Sequence, residues 1–391
     1  MPISDKLRNL KRPHQPKPPV WEGPSGTGPN GGITFSLLSR WLTCRERFRV
    51  LVVEGLRPAE EFNHYIEYGN MWHVCEEAFA HHVSTEAPAT KEDWKPFLED
   101  YTRKLAARPE NAMHREAILK WHNCCLQQFP VYVDYWSKHT EKRTPLKAEQ
   151  TFDTPYSLPS GREVRLRGKW DSVDLMTVEG KKGIWLQENK TKSEIDEVSL
   201  MRHLKFDLQT MLYMVTLRTE LDLGSASVFG PEVWAHASPL VGVRYNVIKR
   251  PLSGGVGSIR QHKPTKSNPA GESLKDYYDR LGGIIRENPA TFFCRFATPI
   301  FPEDVKKFQD TCLDPMLEEL CQWWETATGT QEIGLGGLFP KYPHKTQNWR
   351  HPFGVRNILD EGGSTDLDNY LDTGSTVGLV RVETMFRELQ P

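Results

Sequence analysis

Apolar residues recur with a regular period only after residue 32. Before that the chain is rich in Pro and Gly and ends in GPSGTGPNGG, a composition that predicts a flexible arm. Leu37, Leu38, Trp41 and Leu42 then fall at helical spacing behind Ser36, a residue type that caps helix starts. The same period predicts helices over 68–83, 91–107 and 111–139, the last bent at Pro130, whose ring removes a helical hydrogen bond. The first 150 residues are therefore expected to be mostly helical.

The period then changes. Residues 147–152 and 163–176 look extended, and 183–190 runs from apolar to polar behind a Glu-Gly-Lys-Lys-Gly turn, a pattern that predicts a β-hairpin. A helix is expected over 200–221, a strand over 241–248, a Gly/Pro/Ser-rich loop over 251–271, and helices over 273–286 and 302–326. The expected division is an arm (1–32), a helical part (33–150), a core (151–300) and a helical, irregular extension (301–391).

Composition narrows the class. Hydrophobic residues are 38% of the chain and include 12 Trp, enough for a sizeable core, so a fully disordered chain is excluded. No apolar run reaches bilayer length and the N-terminus has no apolar signal region, so no membrane association is expected. The 7 cysteines have no disulfide-framework spacing and suit a reducing compartment, so a cytoplasmic location is expected. With 50 Lys and Arg against 51 Asp and Glu, the net charge of -1 excludes a uniformly basic surface but permits a local basic groove.

The hairpin carries the candidate chemistry. Glu188 and Lys190 are two apart and share one strand face. An even-numbered loop, two residues at Glu179 and Gly180 or four at 179–182, puts Asp171 on that face and turns Asp174 away. Two carboxylates and a lysine converging on adjacent strands suit metal-assisted phosphodiester cleavage. The same three residues would also make a plain salt-bridge ladder, and Asp174 would then be a supporting or surface carboxylate.

Several further segments, in order, give this hairpin a context. Ser36, Leu38, Trp41, Cys44 and Phe48 fit S-x-L-x-x-(aromatic)-x-x-C-x-x-x-(aromatic). Gly69 and His73 fit G-x-x-x-H, and Gly168-Lys169-Trp170-Asp171 fits G-x-(apolar)-D. Glu188-Asn189-Lys190-Thr191 fits (D/E)-x-K-T, and Gln209 and Tyr213 fit Q-x-x-x-Y. In these motifs, over residues 35–213 and more loosely to Phe293-Cys294-Arg295, the chain resembles the RecB-like branch of the PD-(D/E)xK nuclease superfamily.

The resemblance implies an α/β fold with a restriction-endonuclease-like core, a mixed central β-sheet flanked by helices, plus a helical N-terminal elaboration and an irregular C-terminal extension. It implies that Asp171 and Glu188 bind Mg2+ or Mn2+ with the backbone carbonyl of Asn189, and that Lys190 is catalytic. His73 would be a further ligand or would position the metal-bound water. Gln209 and Tyr213 would lie beside the metal, near the DNA backbone. The implied activity is a metal-dependent deoxyribonuclease, an exonuclease of recombination, repair or phage DNA processing. The chain has no G-x-x-x-x-G-K-[ST] loop, so it is expected to act on DNA ends or single strands, or beside a separate helicase or recombination partner. The alternatives are a catalytically weak DNA-binding or scaffold protein on the same fold, and an iron–sulfur adaptation-type nuclease.

Cys44 matches the N-terminal cluster cysteine of such relatives, but Cys294, Cys312 and Cys321 are too spread for the C-terminal set, so no iron–sulfur cluster is expected. His81-His82 and Cys124-Cys125 are adjacent pairs without zinc spacing. Between residues 233 and 271 there is no acid, while Arg244, Lys249, Arg250, Arg260, Lys263 and Lys266 are basic, a stretch suited to phosphate contacts. Arg40, Arg45, Arg47 and Arg49 form a second basic group, the tail adds Lys6, Arg8, Lys11, Arg12 and Lys17, and Trp349 and Arg350 could stack or pair with nucleic acid.

Overall fold

The computed structural model describes residues 19–58, 62–84, 93–138, 143–224, 228–229, 239–252, 258–329, 379–386 and 389. In chain order the α-helices longer than the short turn Arg45–Phe48 are α1 (Phe35–Thr43), α2 (His64–Ser84), α3 (Lys95–Ala107), α4 (Arg115–Ser137), α5 (Glu197–Leu204), α6 (Leu208–Asp222), α7 (Leu274–Glu287), α8 (Pro302–Phe308) and α9 (Asp314–Gly329). The strands are β1 (Leu56–Pro58), β2 (Arg143–Ser157), β3 (Glu163–Val178), β4 (Lys181–Lys192), β5 (Leu240–Lys249), β6 (Phe293–Pro299) and β7 (Leu379–Arg381). The chain divides into two units, one of Met1–Glu61, Pro155–Arg167 and Asp314–Pro391, the other of Phe62–Thr154 and Gly168–Leu313.

In the first unit Thr34, not Ser36, caps α1. Its backbone is extended and its hydroxyl accepts the Leu37 N–H at 3.2 Å, which places Ser36 inside the helix. Residues 19–32 are packed rather than free. Trp21 is fully buried and donates its indole N–H to the Gly32 carbonyl at 2.9 Å. The Arg167 guanidinium donates to the carbonyls of Pro29 and Gly31 at 2.8 and 2.9 Å. In this segment Pro and Gly shape turns whose carbonyls face a side-chain donor, so composition alone misread its order. Residues 1–18, with the basic tail, lie outside the described residues, as do Trp349 and Arg350.

The second unit is built on a sheet of order β2-β3-β4-β5-β6. β3 and β4 are antiparallel, β4 and β5 parallel, and β5 and β6 antiparallel, so the sheet is mixed. Helices flank it on both sides. On β5, the Tyr245 hydroxyl donates to the Leu204 carbonyl at the end of α5, while the next residue, Asn246, donates to the Tyr132 hydroxyl of α4. Successive strand residues face opposite ways, so α5 and α4 cover opposite faces. From Gly183 to Asn189 every residue of β4 is buried, as expected for a central strand covered on both faces. On the α4 side, Tyr68, Met71, Trp72 and Cys75 of α2 recur at helical spacing and share a core with Trp121, Cys125 and Phe129 of α4. This is the mixed sheet with flanking helices of a restriction-endonuclease-like core.

Three boundaries differ from the sequence pattern. The helix expected over 200–221 is two helices, capped by Asp196 and Asp207 and separated where Phe206 takes a φ of 59°. The helix over 302–326 passes through a π-helical turn at Gln309–Leu313, just before Pro315, whose missing N–H removes a bond of the α-helical ladder. Strand β6 was not foreseen; its burial comes from pairing with β5 rather than from a strong alternation of its own.

Candidate active site

The hairpin turn fixes which carboxylate goes where. Glu179 and Gly180 have φ of 49° and 78°, the conformation of a two-residue turn between antiparallel strands. Pairing runs from Val178↔Lys181 to Ser172↔Gln187. One residue beyond that ladder, the Asp171 carboxylate accepts the backbone N–H of Asn189 at 2.6 Å. Asp174 goes elsewhere. It is fully buried, accepts the Ser172 hydroxyl at 2.6 Å and pairs with Arg143 Nε at 2.6 Å. The surface alternative for Asp174 is thus corrected, because Arg143 supplies the charge that lets it be buried.

Side chains from five elements meet at Asp171. His73 Nδ1 of α2 lies 2.7 Å from Glu149 Oε1 of β2 and 3.6 Å from Asp171 Oδ1 of β3. Lys169 Nζ pairs with the other Glu149 oxygen at 2.5 Å. On β4, Lys190 Nζ donates to Glu188 Oε1 at 2.7 Å and to the Gln209 side-chain oxygen of α6 at 2.7 Å. Asp207 holds Gln209 in place by capping α6, accepting the Gln209 N–H at 2.9 Å and the Thr210 N–H at 3.2 Å.

Charges this close shift one another. Burial and the charge of Glu188 push the Asp171 carboxyl up to about 8. Burial opposes a charged His73 ring, but Asp171, Glu149 and the hydrogen bond to Glu149 outweigh it and raise its pKa to about 10. Burial also opposes an ionised Glu149; His73 and Lys169 overcome it and pull that carboxyl down to about 2. Burial disfavours the Lys190 ammonium, yet the attraction of Glu188 leaves its pKa raised. A protonated ring has no free lone pair, so His73 can serve as a metal ligand only on losing a proton. As a donor to Glu149 it orients that carboxylate.

The donor set suits a hard divalent cation. One ligand atom each from His73, Glu149 and Asp171 lies within 4.8 Å of the others. Glu188 is almost fully buried, and its Oε2 has no hydrogen-bond partner among the described residues, an uncommon state for a buried carboxylate oxygen. A cation would satisfy that oxygen and remove the repulsion that raises Asp171.

The remaining predicted residues divide in two. Tyr213 is buried, packs edge-to-face on Phe152 with centroids 5.5 Å apart, and has its hydroxyl pKa raised by burial and by Glu188. Gly168 makes room for that pair: a Cβ there would lie 2.5 Å from Phe152 Cζ and 3.2 Å from Tyr213 Cε1. Gly69 is different, since a Cβ there would stand an ordinary 3.6 Å from Thr191 Oγ1, so close backbone approach does not explain that glycine. The side chain of Asn189 faces away from Asp171 and accepts from Asn246 at 2.8 Å.

The basic residues scatter. Arg244 is buried in β5 and donates to Gln187, so it leaves the surface group inferred from the acid-free stretch; a central strand buries both faces. Arg250 donates to the Thr191 carbonyl at 2.8 Å, and Lys249 Nζ sits 5.7 Å from the Phe292 ring centroid. Arg260 and Lys263 are exposed. In the first unit Arg45 lies over the Trp41 ring and pairs with Glu319, Arg49 is buried, and Arg40 is half-buried in the last turn of α1. Of the cysteines whose spacing does not suit a cluster, Cys44, Cys294 and Cys321 are buried and Cys312 is exposed.

Sequence reasoning missed Glu149 and Lys169. Lys169 was within reach, since it lies two residues before Asp171 on one strand. Glu149 was not, because its side chain is aimed by a φ of 47°, which no local pattern announces.

The sequence profile of the PD-(D/E)XK nuclease superfamily matches residues 33–296. The chain belongs to this superfamily. No curated protein matches it. Asp171 and Glu188-Asn189-Lys190 fit the D and (D/E)-x-K of the pattern that names the superfamily, with Trp170 where the name has proline. Trp170 is fully buried and stacks on Phe152 and Phe229, with centroids 4.6 and 5.8 Å apart.

Proposed function

We propose that the protein is a Mg2+- or Mn2+-dependent deoxyribonuclease of the RecB-like branch, an exonuclease acting in DNA recombination, repair or phage DNA processing. The observation that carries this reading is the meeting of Asp171, Glu188, Lys190 and Gln209 around an unsatisfied, buried Glu188 oxygen. Its catalytic core is taken as residues 151–300, with His73 and Glu149 contributed from the part before it.

Asp171, Glu149 and Glu188 are the residues that would hold the cation, with His73 joining on loss of its proton and the Asn189 carbonyl completing the set. Bound there, the cation supplies Lewis acidity toward the scissile phosphate. Lys190 is held by Glu188 and Gln209 as a fixed positive donor for charge that grows on the phosphate oxygens, so little reorganisation is needed at the moment of reaction. Gln209 orients Lys190 and is itself fixed by Asp207. Tyr213 packs behind that pair against Phe152 and Gly168. Lys249, Arg250, Arg260, Lys263, Arg40 and Arg45 are assigned to the DNA backbone, which their charge would position without reading sequence. Without a helicase loop in the sequence, the protein works in the cytoplasm on ends or single strands, or beside a separate motor.

A time course on linear DNA labelled at the 5′ or 3′ end, beside a circular control, tests the exonuclease assignment. Mononucleotides released from one labelled end, with the circle intact, are expected. A nicked or linearised circle would make the enzyme an endonuclease.

A further inference from the structure

We propose that Phe206 and Tyr65 are base-stacking platforms that hold unpaired nucleotides on two approaches to Lys190. The inference rests on the nuclease reading above and adds to it the residues that would grip the strand.

Phe206 joins α5 to α6. Its φ of 59° lies in the left-handed region, which bulky side chains rarely adopt. The residue is nevertheless 41% exposed, instead of using that conformation to reach the core. The Lys205 ammonium lies 5.5 Å from the ring centroid. The next residue, Asp207, is fixed by bonds to Gln209 N, to the Thr210 hydroxyl at 2.7 Å and to the Tyr245 hydroxyl at 3.1 Å. The ring therefore stands on a rigid base, three residues from the Gln209 that orients Lys190.

Tyr65 makes a second such pair. It lies in the first turn of α2, is 39% exposed, and has the Arg250 guanidinium 4.8 Å from its ring centroid. Arg250 is anchored on the Thr191 carbonyl, one residue beyond Lys190. Tyr65, Gly69 and His73 are spaced i, i+4 and i+8, so one helix face leads from the ring to the carboxylates over about 12 Å.

A part-exposed aromatic ring with a cation over it suits a nucleotide, which brings a flat base and a negative phosphate together. Arg202 of α5, Lys192 at the end of β4 and Lys249 at the end of β5 add positive charge. The nearby acid Asp207 is occupied by the α6 cap, and Glu67 accepts from Tyr101 at 2.9 Å.

The test measures binding of a short fluorescent single-stranded oligonucleotide, and of a blunt duplex, to the full chain in EDTA by anisotropy. Phe206→Gly, which suits the left-handed backbone, and Tyr65→Ala should each weaken single-strand binding roughly 5- to 150-fold. Phe206→Trp and Tyr65→Trp should stay within about 3-fold of wild type, because each keeps a ring. Duplex affinity should change less than single-strand affinity. Single-strand affinity unchanged in both ring-less variants, or equal losses for both substrates, would overturn the inference. Parallel cleavage by wild type with Mn2+ separates the two readings: absent cleavage with intact stacking effects sinks the nuclease assignment alone, and cleavage without them sinks this one alone.

Discussion

The backbone N–H of Asn189 donates to the Asp171 carboxylate at 2.6 Å, just where the β3–β4 ladder ends. One strand's acid thus satisfies the amide that the ladder leaves open, and the site is fixed by the hairpin itself.

That bond separates fold from chemistry. An asparagine at 171 keeps an acceptor oxygen for the amide but loses the carboxylate that a cation would bind. Asp171→Asn should melt within about 1 kcal/mol of wild type. Its cleavage rate should fall at least about 100-fold. Thermal melting and a cleavage assay on the same preparation check both, and a large loss of stability would mean that the charge holds the strands together.

Glu149 tests the part of the site that its motifs did not announce. Glu149→Gln keeps the side chain's size but weakens its pairs with His73 and Lys169. Mn2+ affinity measured by calorimetry should fall about 10- to 100-fold. Unchanged affinity would remove Glu149 from the metal's surroundings.

Asp174 tests the opposite expectation. Its loss takes away the nearest carboxylate of Arg143, leaving Glu76 at 3.3 Å as the other. Asp174→Ala should cost about 3 kcal/mol in urea unfolding. Folded Asp174→Ala protein should still cleave, because this carboxylate faces Arg143 and not Asp171.

How much of this was legible follows from which signals are local. The Glu179-Gly180 turn and strand alternation together separated Asp171 from Asp174. Glu188, Lys190, Gln209 and His73 were legible as short motifs on elements whose period was clear, and these residues do converge. Glu149 depends on a left-handed residue within a strand, and Phe206 on another between two helices, and periodicity carries no trace of either. Arg244 reads as surface charge because its segment lacks acids, whereas the parallel pairing of β5 with β4 buries it. Thr34 displaced Ser36 as the cap because the helix starts at Phe35, two residues before the apolar stripe that opens at Leu37.

Glu272 makes the pH dependence of the basic loop testable. Hydrogen bonds from Arg280 pull its carboxyl from the usual 4.5 down to about 2. A carboxyl depressed in the folded state contributes stability that is present above pH 4.5 and lost as pH falls through about 2. The His262 N–H bonded to Glu272 at 2.8 Å should therefore stay in place at pH 3.5. NMR titration of the Glu272 carboxyl should show a midpoint near 2, and a midpoint near 4.5 would show that the loop is not pinned there.

The most direct measurement is the rate of phosphodiester cleavage of linear DNA by purified wild type and Lys190→Ala, each with Mg2+, Mn2+ or EDTA. Cleavage by wild type with either metal, none in EDTA, and at least about a 100-fold loss in a folded Lys190→Ala protein are expected. Wild type that binds DNA but cuts none with either metal, or a Lys190→Ala protein that cuts at the wild-type rate, would contradict the nuclease assignment.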